Sequence, residues 1–206
     1  MSASSAEASK ELVTVGALTR EGYAAAPYNG QPMPQTEETE IELALADAKA
    51  TEALGAALAR AFPGAATAPA SLHLEGDLGA GKTTCVRSLL RTLGVSGLIR
   101  SPTFTLVESY PVTGLTCVHV DLYRLNGPQE VEELGLRDFL GAGCLLLVEW
   151  PSKGAKALPP ADVAMTLAFA EPGRVVRMRA RGIVGARWLA NLRNDTRLIP
   201  YLSNLT

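Results

Sequence analysis

The sequence predicts an α/β fold, a mostly parallel sheet flanked by helices. Three observations carry that prediction. Along 206 residues, short apolar runs alternate with stretches of helical spacing, the pattern of strands joined by helical crossovers. Cys144 to Val148 is continuously apolar, as suits a central strand covered on both faces. A glycine-rich turn joins one strand to one amphipathic helix. The length allows one main domain and a small appendage. Residues 1–40 read as a disordered or loosely attached extension, 41–184 as the domain, and 185–206 as an Arg-containing C-terminal tail.

Each element has a local reason. Pro27, Pro32 and Pro34 break helices in the extension, leaving at most a short element near Leu12 to Leu18. Ile41, Leu43 and Leu45 alternate with Glu42 and Ala44, which predicts a strand. Asp47 caps a helix reaching about Phe62, with Leu54, Leu58 and Phe62 as its apolar face. Pro63-Gly64 stops it, and an Ala/Pro linker runs to Pro69. Ser71 to Glu75 is a strand. A helix starts at Lys82, its stripe is Val86, Leu89, Leu90 and Leu93, and Gly94 ends it. Further apolar runs are Phe104–Tyr110, Thr116–Val120, Leu145–Val148 and Val163–Phe169. Pro128 to Leu140 predicts one or two short helices. Arg174 to Arg181 alternates Val175, Val176 and Met178 with Arg, which predicts an edge strand. Gly185 to Leu192 predicts a last short helix.

Composition excludes several classes. Net charge is −2, so no global basic field attracts nucleic acid. Residues 1–40 hold two basic and six acidic residues, against 17 and 15 elsewhere. Arg174 to Thr206 holds seven Arg and one acid, Asp195, a solvated face or an aid to a polyanionic partner. Cys85, Cys117 and Cys144 are sparse and widely spaced, which argues against a disulfide scaffold and for a reducing compartment. Two His leave a Cys/His zinc site without ligands. No apolar run reaches 18 residues, so no membrane span is expected, and the expected location is the cytoplasm.

The strongest motif is Gly76-Asp77-Leu78-Gly79-Ala80-Gly81-Lys82-Thr83, which fits G-x-x-x-x-G-K-[ST] at every fixed position. Glycines let successive backbone N–H groups curl toward phosphate oxygens, and the following helix adds its positive end. Lys82 supplies an ammonium for the β/γ-phosphates, and the Thr83 hydroxyl suits Mg²⁺. Thr84 is placed for the α-phosphate. With glycine near 7% of residues, a chance match in this length is about one in a hundred. The strand before it and the helix after it are the context the motif demands. The expected ligand is a nucleoside triphosphate with Mg²⁺, and the fold is P-loop NTPase-like.

Such a loop needs a carboxylate near the metal, from the end of a neighbouring strand. Asp121 ends Val118-His119-Val120, and Glu149 ends the apolar run. Asp121 is expected to support Mg²⁺, and Glu149 to ligate it or orient the attacking water. Trp150-Pro151 follows, as packing or as a reporter beside the nucleotide. Ser101-Pro102-Thr103-Phe104-Thr105 occupies the position of a γ-phosphate-sensing loop, though taken alone it is an ordinary turn. Arg87 and Arg91 sit on the loop's helix and are expected to face solvent.

Together, "GDLGAGKTT", "RSPTFTLVESY", "VHVDLYRL", "EELGLRDFL" and "LLLVEWPSKG…LPPADV" resemble the bacterial TsaE (YjeE) family, over about residues 41–180. The resemblance implies slow ATP hydrolysis. It implies support of a TsaB–TsaD heterodimer that forms threonylcarbamoyladenosine beside the tRNA anticodon, with tRNA met only through that complex and no membrane. It carries Lys82, Thr83 and Thr84 onto the nucleotide site, and Thr83, Asp121 and Glu149 onto the metal and catalytic positions. Thr51 and Gly173-Arg174 fall on the nucleotide's base side, and Tyr123 and Arg124 near a partner surface or switch. The extension and the Ala65–Ala70 linker depart from the family pattern. A small-molecule kinase on the same scaffold and a non-hydrolysing binding module are the rival readings. The first lacks an Arg-bearing lid, since Pro111 to Gly143 holds only Arg124 and Arg137. The second would not require both carboxylates.

Overall fold

The computed structural model describes residues 39–66 and 68–201. The expected extension, with its element near Leu12, lies outside the described residues except for its last two positions. The chain runs β1 (Glu40–Leu45), α1 (Ala48–Ala61), β2 (Ala70–Gly76), α2 (Lys82–Thr92), β3 (Val107–Val112) and β4 (Leu115–Asp121). It continues through α3 (Pro128–Glu133), β5 (Cys144–Glu149), α4 (Pro151–Gly154), β6 (Val163–Ala170), β7 (Gly173–Ala180) and α5 (Gly182–Arg193). Asp47 caps α1 by accepting from Ala50 N at 2.8 Å, as its side-chain chemistry predicts.

The strands form one sheet in the order β1-β7-β6-β2-β5-β4-β3. β6, β2, β5 and β4 pair in parallel, and β3 and β7 are the antiparallel partners at the two sides. β1 pairs antiparallel with β7, so five of the seven strands point the same way and the sheet is mostly parallel. Parallel pairing demands burial on both faces. β5 meets that demand, with all six residues enclosed. Cys117, Leu145 and Leu147 join the layer under α1, α2 and α5, while Val118, Val120, Leu146 and Val148 join a smaller layer with α3. Among the described residues, no helix is long and apolar enough to cross a membrane.

Three local expectations are corrected. The Arg-alternating strand is not an edge. β7 lies between β1 and β6, and β1 takes the edge. The alternation reports one solvated face instead: Arg177 and Arg179 reach across to Glu42 and Glu40, while Val176 and Met178 are buried. The run from Phe104 is not all strand, because β3 starts at Val107 and Phe104 is 82% exposed in the preceding turn. The start of the segment read as a tail is packed into the domain. Trp188 of α5 is fully buried, meets the Phe62 ring in a tilted contact at 4.9 Å, and donates from Nε1 to Leu58 O at 2.9 Å. Arg60 and Asp195 tie the same two elements from outside, at 2.7 Å.

Candidate functional site

The site begins where β2 stops. Gly76 has φ 141° and its Cα lies against the next strand, where a Cβ would run into the Leu167 carbonyl. Gly81 has φ 111° and precedes α2 with no side-chain cap. Only glycine adopts such angles freely. The turn therefore opens directly onto the helix end. The amides of Lys82, Thr83 and Thr84 precede the first intrahelical bond, Cys85 N to Gly81 O at 2.9 Å, so they are donors for something other than the helix.

Lys82 is enclosed. Its Nζ donates to Gly76 O at 2.5 Å and Asp77 O at 2.9 Å, and sits 3.8 Å above the Trp150 ring. Burial pulls this ammonium below its usual range, against the opposing pull of Glu149, Glu75, Asp121 and Asp77. Trp150 is held at φ 59°, a strained angle for a bulky residue. Its N–H donates to Leu74 O at 3.1 Å, and its ring meets Tyr123 at 5.0 Å.

Parallel pairing sets Asp121 opposite Glu149 at the ends of β4 and β5. Both are nearly fully buried. Thr83 Oγ1 donates to Glu149 Oε2 at 2.8 Å, and Thr103 Oγ1 donates to Asp121 Oδ2 at 2.8 Å. Asp121 Oδ1 also accepts from Tyr123 N at 3.0 Å. His119 Nε2 lies 2.8 Å from Glu149 Oε1. Cys85 stands behind this group, its thiol pushed up to about 12 by burial and by Glu149, so it is inert as a nucleophile.

A cavity of about 190 Å³ joins Leu78, Gly79, Gly81, Lys82, Thr83 and Thr84 to Thr103, Asp121, Tyr123, Glu149 and Trp150. Gly76 and Asp77 form the entry of the turn, and Ala80 is buried beneath it. Thr51 and Arg174 lie outside the cavity but touch each other, Arg174 Nη1 to Thr51 Oγ1 at 3.1 Å, beside Gly81. Arg174 Nε is enclosed without a hydrogen-bond partner among the described residues. Arg87 and Arg91 are exposed. Tyr123 is 41% exposed at the mouth, and Arg124 lies over Phe104 at 4.4 Å.

Sequence reasoning missed His119 as a partner of Glu149 and Thr103 as a partner of Asp121. Half the signal for His119 was available: it stands two residues before Asp121, so strand alternation puts both on one face, but its partner follows only from the β4–β5 register. Thr103 stands in the Ser101–Thr105 segment expected to sense the γ-phosphate, but its contact with Asp121 depends on how the loop before β3 folds.

The donors fit a nucleotide with a divalent cation. Thr83, Asp121 and Glu149 offer only hard oxygens, the set that suits Mg²⁺. The ammonium and the three amides suit phosphates. Among the described residues no cluster of three His, Cys, Asp or Glu marks a self-sufficient metal site. A Mg²⁺ site of this kind takes one or two protein oxygens and completes its shell from phosphates and water.

A family model described as threonylcarbamoyl adenosine biosynthesis protein TsaE matches residues 45–176. The chain is 39% identical over 123 residues to the tRNA threonylcarbamoyladenosine biosynthesis protein TsaE of Haemophilus influenzae, spanning 60% of this chain and 78% of that protein. It is 41% identical over 88 residues to the TsaE of Bacillus subtilis, spanning 43% of this chain and 54% of that one. Among solved structures, the crystal structure of Bacillus subtilis YdiB superposes with a TM-score of 0.60 at 26% identity. That match covers 76% of this chain and 96% of YdiB.

Proposed function

The chain belongs to the TsaE family of tRNA threonylcarbamoyladenosine biosynthesis proteins, and from that premise we propose that it is a Mg²⁺-dependent ATPase serving a TsaB–TsaD pair. One observation carries the reading. Thr83 of the loop's helix, Asp121 of β4 and Glu149 of β5 converge around the cavity that Lys82 closes. A nucleotide-binding module would need the loop alone. The paired buried carboxylates add the chemistry of hydrolysis.

In this reading the amides of residues 82–84 bind phosphate, and Lys82 exchanges two loop carbonyls for phosphate oxygens. Thr83 and Asp121 would hold Mg²⁺, which when bound would supply charge neutralisation to the phosphates. Glu149 orients water against the terminal phosphate. A hydroxyl ligates a cation through its lone pair, so Thr83 keeps its hydrogen for Glu149. Thr51 and Arg174 border the base side. Arg87 and Arg91 of α2 are exposed, Arg91 donating to Val95 O at 3.0 Å, and neither lines the cavity to act as an arginine finger. Turnover of the chain by itself is therefore expected to be slow, and to rise when TsaB–TsaD dock near Tyr123 and Phe104. tRNA is met through those partners.

The test is ATP turnover of the chain with and without TsaB–TsaD. Glu149→Ala is expected to lose about 100-fold or more in kcat, the scale of a positioned acid–base group, while still binding ATP. Multi-turnover hydrolysis at the parent rate in Glu149→Ala would discard the role given to that residue.

A further inference from the structure

His119 is a buried polar residue that this mechanism leaves without a task. It stands on β4 two residues before Asp121, and the pleat puts both on the face that carries Glu149 across the β4–β5 pairing. The ring is fully enclosed, with Nε2 2.8 Å from Glu149 Oε1. Nδ1 is enclosed too, with no hydrogen-bond partner among the described residues. A carboxylate only accepts, so the contact places the imidazole hydrogen on Nε2. As a packing residue the ring is a poor choice, since an apolar side chain would fill this layer without desolvating two nitrogens. Among the described residues its one hydrogen bond goes to Glu149. The second carboxylate oxygen accepts from Thr83 Oγ1 at 2.8 Å. Two donors, one from the sheet and one from the loop's helix, therefore hold the two oxygens of the carboxylate.

We infer that His119 is a positioning residue whose Nε2–H holds the Glu149 carboxylate in register with Thr83 and the phosphate loop. This deepens the ATPase reading and rests on it. His119 does not line the cavity, so it acts on turnover through Glu149 and leaves nucleotide contacts intact. Loss of a partner that orients a site carboxylate costs about 10–100-fold in comparable arrangements.

The first test uses the intact chain without variant or nucleotide. The protein has two histidines, and long-range ¹H–¹⁵N NMR reports the tautomer of each ring. The fully protected ring, His119, is expected to carry its hydrogen on Nε2. A bare Nε2 with the hydrogen on Nδ1 overturns the inference. The second test compares His119→Leu with His119→Gln, whose amide restores an N–H. His119→Leu is expected to lose about 10–100-fold in kcat, with KM and the affinity for a fluorescent ATP analogue within about two-fold. His119→Gln is expected to recover most of kcat. Unchanged kcat in His119→Leu, equal losses in both variants, or affinity falling in step with kcat overturns the inference. The Glu149→Ala background separates the two layers of the argument. There His119→Leu is expected to cost nothing further. Full turnover in Glu149→Ala by itself sinks the assignment of Glu149. A slow Glu149→Ala beside a fast His119→Leu sinks only the role of His119.

Discussion

Two regions of one sheet treat polar residues in opposite ways. Around the loop, at the ends of β2, β4 and β5, the chain encloses Thr51, Lys82, His119, Asp121 and Glu149. Ser71 is the other enclosed polar side chain among the described residues. In the wing formed by β1, β7 and β6, charge stays outside: Arg177 pairs with Glu42 and Arg179 with Glu40, both Arg being more than half exposed. The wing's interior is apolar, and α5 seals it with Trp188. Enclosing a polar group costs free energy unless its hydrogen bonds are met. The crevice thus gives up stability to fix geometry, whereas the wing takes stability from apolar burial. The difference teaches where to look for function: at buried polar groups gathered in one place, such as Thr83, Glu149 and His119, whose bonds run to one another.

The largest effect should come from the wing. Trp188→Ala removes a fully buried ring, its contact with Phe62 and the bond to Leu58 O. Truncations of this kind cost about 3–5 kcal/mol. Urea unfolding should show that loss, while ATP affinity of the folded protein stays within a few-fold. A well-folded Trp188→Ala protein that no longer binds ATP would erase the division between the regions.

The crevice should behave in reverse. Lys82→Met keeps volume and removes a charge that burial disfavours. Calorimetry with Mg²⁺–ATP is expected to show at least about 100-fold weaker binding, the scale for truncating one partner of a desolvated charge pair. The melting temperature of the nucleotide-free protein should hold or rise. A clear fall in that temperature would mean that Lys82 stabilises the fold through the Gly76 and Asp77 carbonyls, and that the crevice is not the costly region.

His73 lies on β2 but on the face opposite Leu72 and Leu74, beside Arg181 and Glu75 in a cavity of about 390 Å³. Burial, with a smaller push from Arg181, lowers its imidazole from 6.5 to about 4. Between those values the unfolded chain holds a proton that the fold rejects. Stability therefore falls as pH drops through that window, by about 2–3 kcal/mol at pH 4.5. Urea titrations at pH 7 and pH 4.5 should show that drop in the parent and a smaller one in His73→Gln. Equal drops in both proteins would place the acid-sensitive group elsewhere.

Much of this was legible in the sequence, and the reasons are local. The glycine-lysine-threonine spacing, the Asp47 cap and the apolar run before Glu149 each act over a few residues, where side-chain type dictates backbone geometry. Asp121 and Glu149 were nameable because a strand end aims its last side chain at the crevice. What stayed hidden is lateral. Nothing near Arg174 to Arg181 says that β1 comes from the other end of the domain to cover β7. Nothing near Gly185 says that Trp188 will meet Phe62. The pairing of His119 with Glu149, 30 residues apart in the chain, needs the parallel β4–β5 register. Neighbours across a sheet are chosen by topology, and topology leaves only a period-two trace in each strand.

The smallest effect tests the wing's surface. Arg177 Nε and Glu42 Oε2 are 2.5 Å apart, with side chains 60% and 24% exposed. Water already solvates both ions in the unfolded chain, and ordering two long side chains takes entropy. A double-mutant cycle through Arg177→Ala and Glu42→Ala should give a coupling of about 0.2–1 kcal/mol. Raising the salt to 1 M shortens the screening length to about 3 Å and should shrink it further. A coupling above about 2 kcal/mol would exceed what exposed pairs deliver. It would mean that charge supports the wing as geometry supports the crevice, and the two halves of the sheet would then differ in what they bind but not in how they are held.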